Sequence, residues 1–130
     1  MPVPASENNP NRNRYMKEEI KDNGEILAII LRANYSATGL HFFTPNTFSQ
    51  QLAYMRHPTG KTIEAHCHVA QPRNIEYTQE VLVLRRGVLR VDFYRNDKTY
   101  LESRILRTGD VILLAHGGHG FEVLEEIEMI

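Results

Sequence analysis

Residues 80–94 read EVLVLRRGVLRVDFY, and this stretch decides the fold class of the chain. From Leu89 to Tyr94 apolar and polar residues alternate, which is the period of two expected of a β-strand with one face in water. The three residues Arg85-Arg86-Gly87 separate this half from the apolar half that begins at Glu80. We therefore predict a β-hairpin that turns at these three residues.

The rest of the chain continues this β pattern on both sides of residues 80–94. Turn signals recur roughly every 8 to 12 residues, the spacing of an all-β sandwich or barrel. Residues 15–25 contain the turn signal Asn23-Gly24 and have room for one helical turn. Residues 1–14 show no apolar periodicity and are predicted to be a disordered tail, followed by a single domain at 15–130. The other predicted strands are 25–31, two short pieces of 41–55, 61–69, 99–106, 111–115 and 120–130.

Composition excludes several classes of function. The chain has 130 residues, 15 basic and 16 acidic side chains and a net charge of -1, which argues against binding to nucleic acid or to an anionic membrane. Its longest apolar run, Ile26 to Leu31, is far shorter than the roughly 20 residues that span a bilayer. The one cysteine, Cys67, permits no internal disulfide and fits a reducing compartment, so we expect a cytoplasmic protein.

Two histidines share the strand predicted at residues 61–69. Because residues i and i+2 of a strand point to the same face, His66 and His68 are predicted side by side. Cys67 is predicted on the opposite face as a small buried side chain. Two neighbouring imidazoles can chelate one first-row metal ion, whereas the simpler reading is a pair of surface histidines.

Two further residues favour a metal site. Glu80 opens an apolar strand, where an unpaired carboxylate facing the core is costly and a metal ion relieves that cost. His119 lies between glycines in GDVILLAHGGHGF, residues 109–121. Glycines at such a place permit sharp turns and leave room for a ligand.

With these features the chain resembles the cupin superfamily. The first cupin motif is Gly, five residues, His-x-His, three or four residues, Glu, six residues and Gly. The matching positions here are Gly60, His66, His68, Glu80 and Gly87. The gap between His68 and Glu80 is longer than in the motif, so the intervening residues must loop out. This insertion contains Glu76, which is a rival to Glu80 as a ligand.

The second cupin motif is matched less completely. It reads Gly, five residues, Pro-x-Gly, two residues, His, three residues and Asn. Here Gly109 opens it and His119 closes it one residue early, without the Pro and without the Asn. His116 is therefore a rival to His119, which we prefer because Gly120 and Phe121 follow it much as a His-x-Phe continues the family motif.

The resemblance covers roughly residues 25–130 and implies a cupin barrel, the jelly-roll-like double-stranded β-helix. It implies one divalent ion, of zinc, iron, manganese or nickel, in the barrel mouth on His66, His68, Glu80 and His119. The chain is similar to small single-domain bacterial cupins, a subgroup associated with surface-polysaccharide genes. Small cupins usually pair as homodimers, and residues 16–31 are the segment expected to exchange onto a neighbour's sheet.

The function that this resemblance implies is binding of, or action on, a small oxygenated metabolite that is sugar-related or a small acid. One reading is a metal-dependent isomerase or oxygenase, in which the metal polarises a carbonyl or activates oxygen. The alternative is a non-catalytic cupin that binds or regulates a small ligand. Against a sugar epimerase, the sequence shows no separate His-Asp pair for general acid-base work.

Overall fold

The computed structural model describes residues 16–130 of the chain, and the tail predicted at residues 1–14 lies outside this range. The described residues form eight β-strands and contain no helix, which agrees with the all-β prediction. They therefore include no helix long and apolar enough to cross a membrane. The strands are β1 Lys17–Asp22, β2 Glu25–Leu31, β3 Gly39–Phe42, β4 Ala53–Arg56, β5 Glu80–Tyr94, β6 Tyr100–Arg107, β7 Val111–Leu114 and β8 Gly118–Met129.

The first hairpin joins β1 to β2 at the predicted turn. Asn23 and Gly24 have φ angles of 49° and 79°, the left-handed pair that a two-residue type I′ hairpin requires. The residues before this turn form a strand, so the helical turn considered for residues 15–25 is wrong. Pairing with β2 supplies their backbone hydrogen bonds and buries Ile20 completely.

The hairpin predicted at Arg85-Arg86-Gly87 is also wrong, because β5 runs through these residues without reversing. The pairing between β5 and β8 shifts register three times between Leu84 and Leu89, which marks β-bulges. Gly87 has a φ of 96°, and a Cβ there would overlap the backbone carbonyl of Glu126. The glycine therefore serves a bend pressed against β8 instead of a chain reversal.

Most strands belong to one antiparallel sheet in the order β1-β2-β7-β5-β6, with β8 on the other side of β5. Its curl follows from chain lengths. Glu80 pairs with Leu114, and Tyr94 pairs with Gly118. A straight β5 would be about 45 Å long, whereas the short link from Leu114 to Gly118 spans at most about 14 Å. The strand must bend so that its two ends approach, and the sheet is a curled half-barrel.

The half-barrel has apolar clusters on both faces of β2 and β7. Alternation along β2 sends Ala28 and Ile30 into the main core on the inner side of the curl. Ile29 faces the other way and packs with Leu113 and Phe43 in a smaller core. The β3–β4 hairpin forms a separate two-stranded sheet, and Tyr54 from it packs on this smaller core. Residues 41–55 thus supply two short strands around a bend, as predicted.

A buried carboxylate fixes the turn between β6 and β7. Asp110 is 4% exposed, and its two oxygens accept hydrogen bonds from the backbone N–H groups of Ala33 and Arg107. It also pairs with the Arg32 guanidinium at 3.0 Å, and Arg32 pairs in turn with Glu18 on β1. The network joins the turn to β1 and to the end of β2.

The strand predicted at residues 61–69 does not form in this structure. Residues 61–79 have no regular secondary structure, and nearly all of them are exposed. Exposed apolar side chains include Ile63 and Val69, and Cys67 is exposed instead of buried. The alternation of apolar and polar residues is present in this segment, but none of the strands among residues 16–130 provides a hydrogen-bonded ladder for it.

Candidate functional site

Two of the four predicted ligands, Glu80 and His119, lie next to each other. The distance between Glu80 Oε2 and His119 Nε2 is 3.8 Å. Glu80 pairs with Leu114, which belongs to the main core, and His119 pairs with the core residue Phe93. Because directly paired residues of an antiparallel ladder share a face, both side chains lie on the inner side of the half-barrel. The curl of β5 brings its first residue close to the start of β8.

The surroundings of this pair form an open mouth, which we define by Glu80, His119, Phe121 and Val123. Phe121 and Val123 pair with the buried residues Val91 and Leu89, so they also face inward. They nevertheless remain 42% and 54% exposed. The rings of His119 and Phe121 are 5.4 Å apart. The mouth is thus an inward-facing surface with a nitrogen and an oxygen donor beside accessible apolar side chains.

The other two predicted ligands, His66 and His68, form a second pair on the irregular segment 61–79. Their ring centroids are 5.6 Å apart, and His66 Nδ1 lies 3.0 Å from the backbone oxygen of Glu64. The structure does not bring this pair to Glu80 and His119. Within residues 16–130, no group of three or more potential ligands is arranged to hold a metal ion. The four predicted ligands therefore lie as two separate pairs, which do not by themselves form a complete metal site.

The two rival ligands lie elsewhere, at a cavity of about 620 Å³. His116 Nε2 is 3.1 Å from Glu25 Oε2 and 3.2 Å from Asn96 Nδ2. The Tyr77 ring meets the His116 ring edge-on, with centroids 4.3 Å apart. The cavity is lined by Gly24, Glu25, Ile26, Pro45, Thr47, Phe48, Ser49, Arg73, Asn74, Ile75, Glu76, Tyr77, Gln79, Ala115 and His116.

The pairing of His116 with Glu25 is a feature that the sequence did not indicate. The sequence showed no separate His-Asp pair, and the structure supplies a His-Glu pair instead. Glu25 opens β2 directly after the Asn23-Gly24 turn, and His116 follows β7. Only the pairing of β2 with β7 brings these residues together, and no local motif signals it.

One of the resolved shifts of a carboxyl pKa lies on the outer face of the half-barrel. Hydrogen bonds from Arg90 and then from Ser103 lower the pKa of Asp92 below 3.8. Arg90 also pairs with Glu122 at 2.6 Å. These residues alternate with the buried Leu89, Val91 and Phe93, so this charge network faces away from the core.

The fold and the two sites define an all-β protein with a curled half-barrel, a His-Glu pair at its mouth and a separate cavity with polar and apolar walls. Comparison of the chain with family models, with curated proteins and with solved structures gives no match. The functional argument therefore depends on the residues and their geometry.

Proposed function

We propose that this chain is a cupin-type protein that binds a small oxygenated metabolite through one divalent metal ion at the mouth of the half-barrel. The observation that carries the proposal is the Glu80–His119 pair, whose donor atoms lie 3.8 Å apart on the inner face. One imidazole nitrogen and one carboxylate oxygen suit zinc, iron, manganese or nickel. His66 and His68 are the two remaining ligands in this proposal.

Assembly of the four ligands requires residues 61–69 to move towards the mouth, and the contacts of this segment support such a movement. Between residues 62 and 78, the hydrogen bond from His66 to the Glu64 backbone is the only one found in the described chain. A segment with so few bonds and with exposed side chains changes conformation at small cost. Ile63 and Val69 on the segment, and Phe121 and Val123 at the mouth, are apolar surfaces that closure would bury together.

When bound, the divalent ion would supply Lewis acidity for a ligand with oxygen donors. The chain's own contribution is the position of Glu80 and His119. Glu80 is the first residue of β5, and His119 lies on β8, which pairs with β5. Phe121 and Val123 provide an apolar wall beside them. These features support the binding of a small ligand. They do not indicate a particular reaction, so we propose a binding role.

Metal analysis of the purified full-length chain tests the proposal. We expect about one equivalent of a divalent ion per chain, in the protein as purified or after incubation with zinc, iron, manganese or nickel salts. The double variant His66→Ala, His68→Ala should lose the ion and keep its far-UV circular dichroism spectrum, since these residues lie outside every strand. The matched control, His41→Ala with His57→Ala, should retain the ion.

Two outcomes would contradict the proposal. If the purified chain contains no divalent ion and takes up none on incubation, the proposed metal site is excluded. Retention of the ion in the His66→Ala, His68→Ala variant, together with its loss in Glu76→Gln or His116→Asn, would move the site to the rival ligands at the cavity.

A further inference from the structure

The cavity beside His116 contains charged side chains of both signs, and only some of them are paired. Glu25 pairs with His116 at 3.1 Å. Arg73 and Glu76 also line the cavity, and neither has an ion-pair partner among residues 16–130. Within the described part of the chain, Arg73 and Glu76 are therefore a cation and an anion without an ion-pair partner that line the same cavity. Arg73 and Glu76 are three positions apart, so their Cα atoms are separated by at most about 10 Å. The flexible ends of both side chains can therefore reach one small molecule.

Apolar side chains line the same cavity. Ile26, Pro45, Phe48 and Ala115 are among the lining residues. The volume of about 620 Å³ lies within the range of small-molecule sites in proteins. Such a lining accepts a molecule with an apolar body and two charged groups.

The wall that carries Arg73 and Glu76 is tethered at its C-terminal end. Gln79 Oε1 accepts hydrogen bonds from the backbone N–H of Gln50 at 3.2 Å and from Ser49 Oγ at 3.4 Å. The edge-on contact of Tyr77 with His116 adds a second tether. The cavity is therefore bounded by the start of β2 and the residues just after β7 on one side, and by the loop 45–49 and the segment tethered to it on the other.

We propose that this cavity binds a small zwitterion, an amino acid with an apolar side chain. Arg73 pairs with its carboxylate, Glu76 pairs with its ammonium group, and its side chain lies against Ile26 and Phe48. A neutral sugar would leave both charges without a partner, and a small dicarboxylic acid would meet Glu76 with a like charge. None of the four proposed metal ligands lines the cavity, so this inference does not depend on the metal.

The test uses the full-length chain after treatment with EDTA, and three probes that differ in one group each: leucine, N-acetylleucine and leucine amide. Titration followed by ¹H-¹⁵N NMR gives the affinity and shows whether the resonances of Tyr77 and Gln79 shift. Leucine should bind most tightly. Arg73→Gln should weaken leucine about tenfold and leave leucine amide unchanged, whereas Glu76→Gln should weaken leucine similarly and leave N-acetylleucine unchanged.

The control variants are Arg85→Gln and Glu64→Gln, exposed residues of the same charges that lie outside the cavity. Both should bind leucine as the parent chain does. The proposal is overturned if leucine produces no shifts at the cavity, if glucose or succinate binds there more tightly than leucine, or if the two charge variants affect all three probes equally. Because the metal is absent throughout, failure here leaves the Glu80–His119 proposal standing, and the reverse also holds.

Discussion

Substitution of Gly117 by alanine tests the geometry that positions both candidate sites. Gly117 lies in the short turn between β7 and β8, next to His116 and two residues before His119. Its φ is +74°, and a Cβ added there would lie 2.7 Å from the carbonyl oxygen of Tyr94 and 2.9 Å from Leu27 Cδ2. Alanine at this position therefore has both an unfavourable backbone conformation and a collision with a strand.

The two effects can be separated, because Gly24 has nearly the same conformation without the collision. Its φ is +79°, and an added Cβ would meet nothing within 4 Å. The left-handed conformation costs alanine about 1–2 kcal/mol at either position. Crowding against the backbone of β5 adds about 1–3 kcal/mol at Gly117 alone. We expect Gly24→Ala to lower the free energy of unfolding by the first amount and Gly117→Ala by both, about 2–5 kcal/mol.

Urea unfolding followed by far-UV circular dichroism measures both variants, provided that their m-values agree with that of the parent chain. The informative quantity is the difference between the two variants, because it cancels the conformational cost. Equal destabilisation by Gly117→Ala and Gly24→Ala would refute the close approach of the β7–β8 turn to Tyr94. The curl of β5 would then have to be looser than described.

Further predictions concern the Asp110 network, the Asp92 carboxyl and the oligomeric state. Asp110→Ala should destabilise the chain by about 3–5 kcal/mol, because it removes the charged acceptor of the Ala33 and Arg107 backbone N–H groups, although Arg32 keeps Glu18 as a partner; a loss below about 1 kcal/mol in urea unfolding would contradict the network. Ser103→Ala should raise the pKa of Asp92 towards 3.8, measured by NMR titration of its carboxyl carbon, and an unchanged pKa would contradict the assigned cause. Since a lowered folded pKa stabilises the chain above the unfolded pKa, the stability lost in Ser103→Ala should shrink as the pH falls below 3.8 through the folded pKa. The expected homodimer should give twice the mass of the 130-residue chain in light scattering after size exclusion, and a monomer would exclude exchange of residues 16–31.

Local signals in the sequence were sufficient to predict β2 and the turn that precedes it. The apolar run at 25–31 is β2, and the Asn23-Gly24 pair adopts the left-handed angles that such a pair favours. The prediction failed at Gly87, because a glycine with positive φ suits a hairpin turn and a bulge equally well. The deciding contact is with the backbone of Glu126, which comes from a strand far along the chain.

The candidate sites show the same division between local and distant information. His66 and His68 are neighbours by sequence, and their rings lie close together even without the predicted strand. The proximity of Glu80 to His119 arises from the curl of β5, and that of Glu25 to His116 arises from the pairing of β2 with β7. Motif spacing suggested the first of these two pairs, and no spacing rule indicated the second.

The segment 61–79 connects the two proposed sites, and its two ends differ in how firmly they are held. Tyr77 and Gln79 anchor the end that walls the cavity, through contacts with His116 and with Ser49. The end that carries His66 and His68 has no hydrogen bond to the strands of the half-barrel among the described residues. Movement of the histidines towards the mouth can therefore occur without dismantling the cavity wall. This arrangement would let one irregular segment serve the proposed metal site at one end and the proposed ligand cavity at the other.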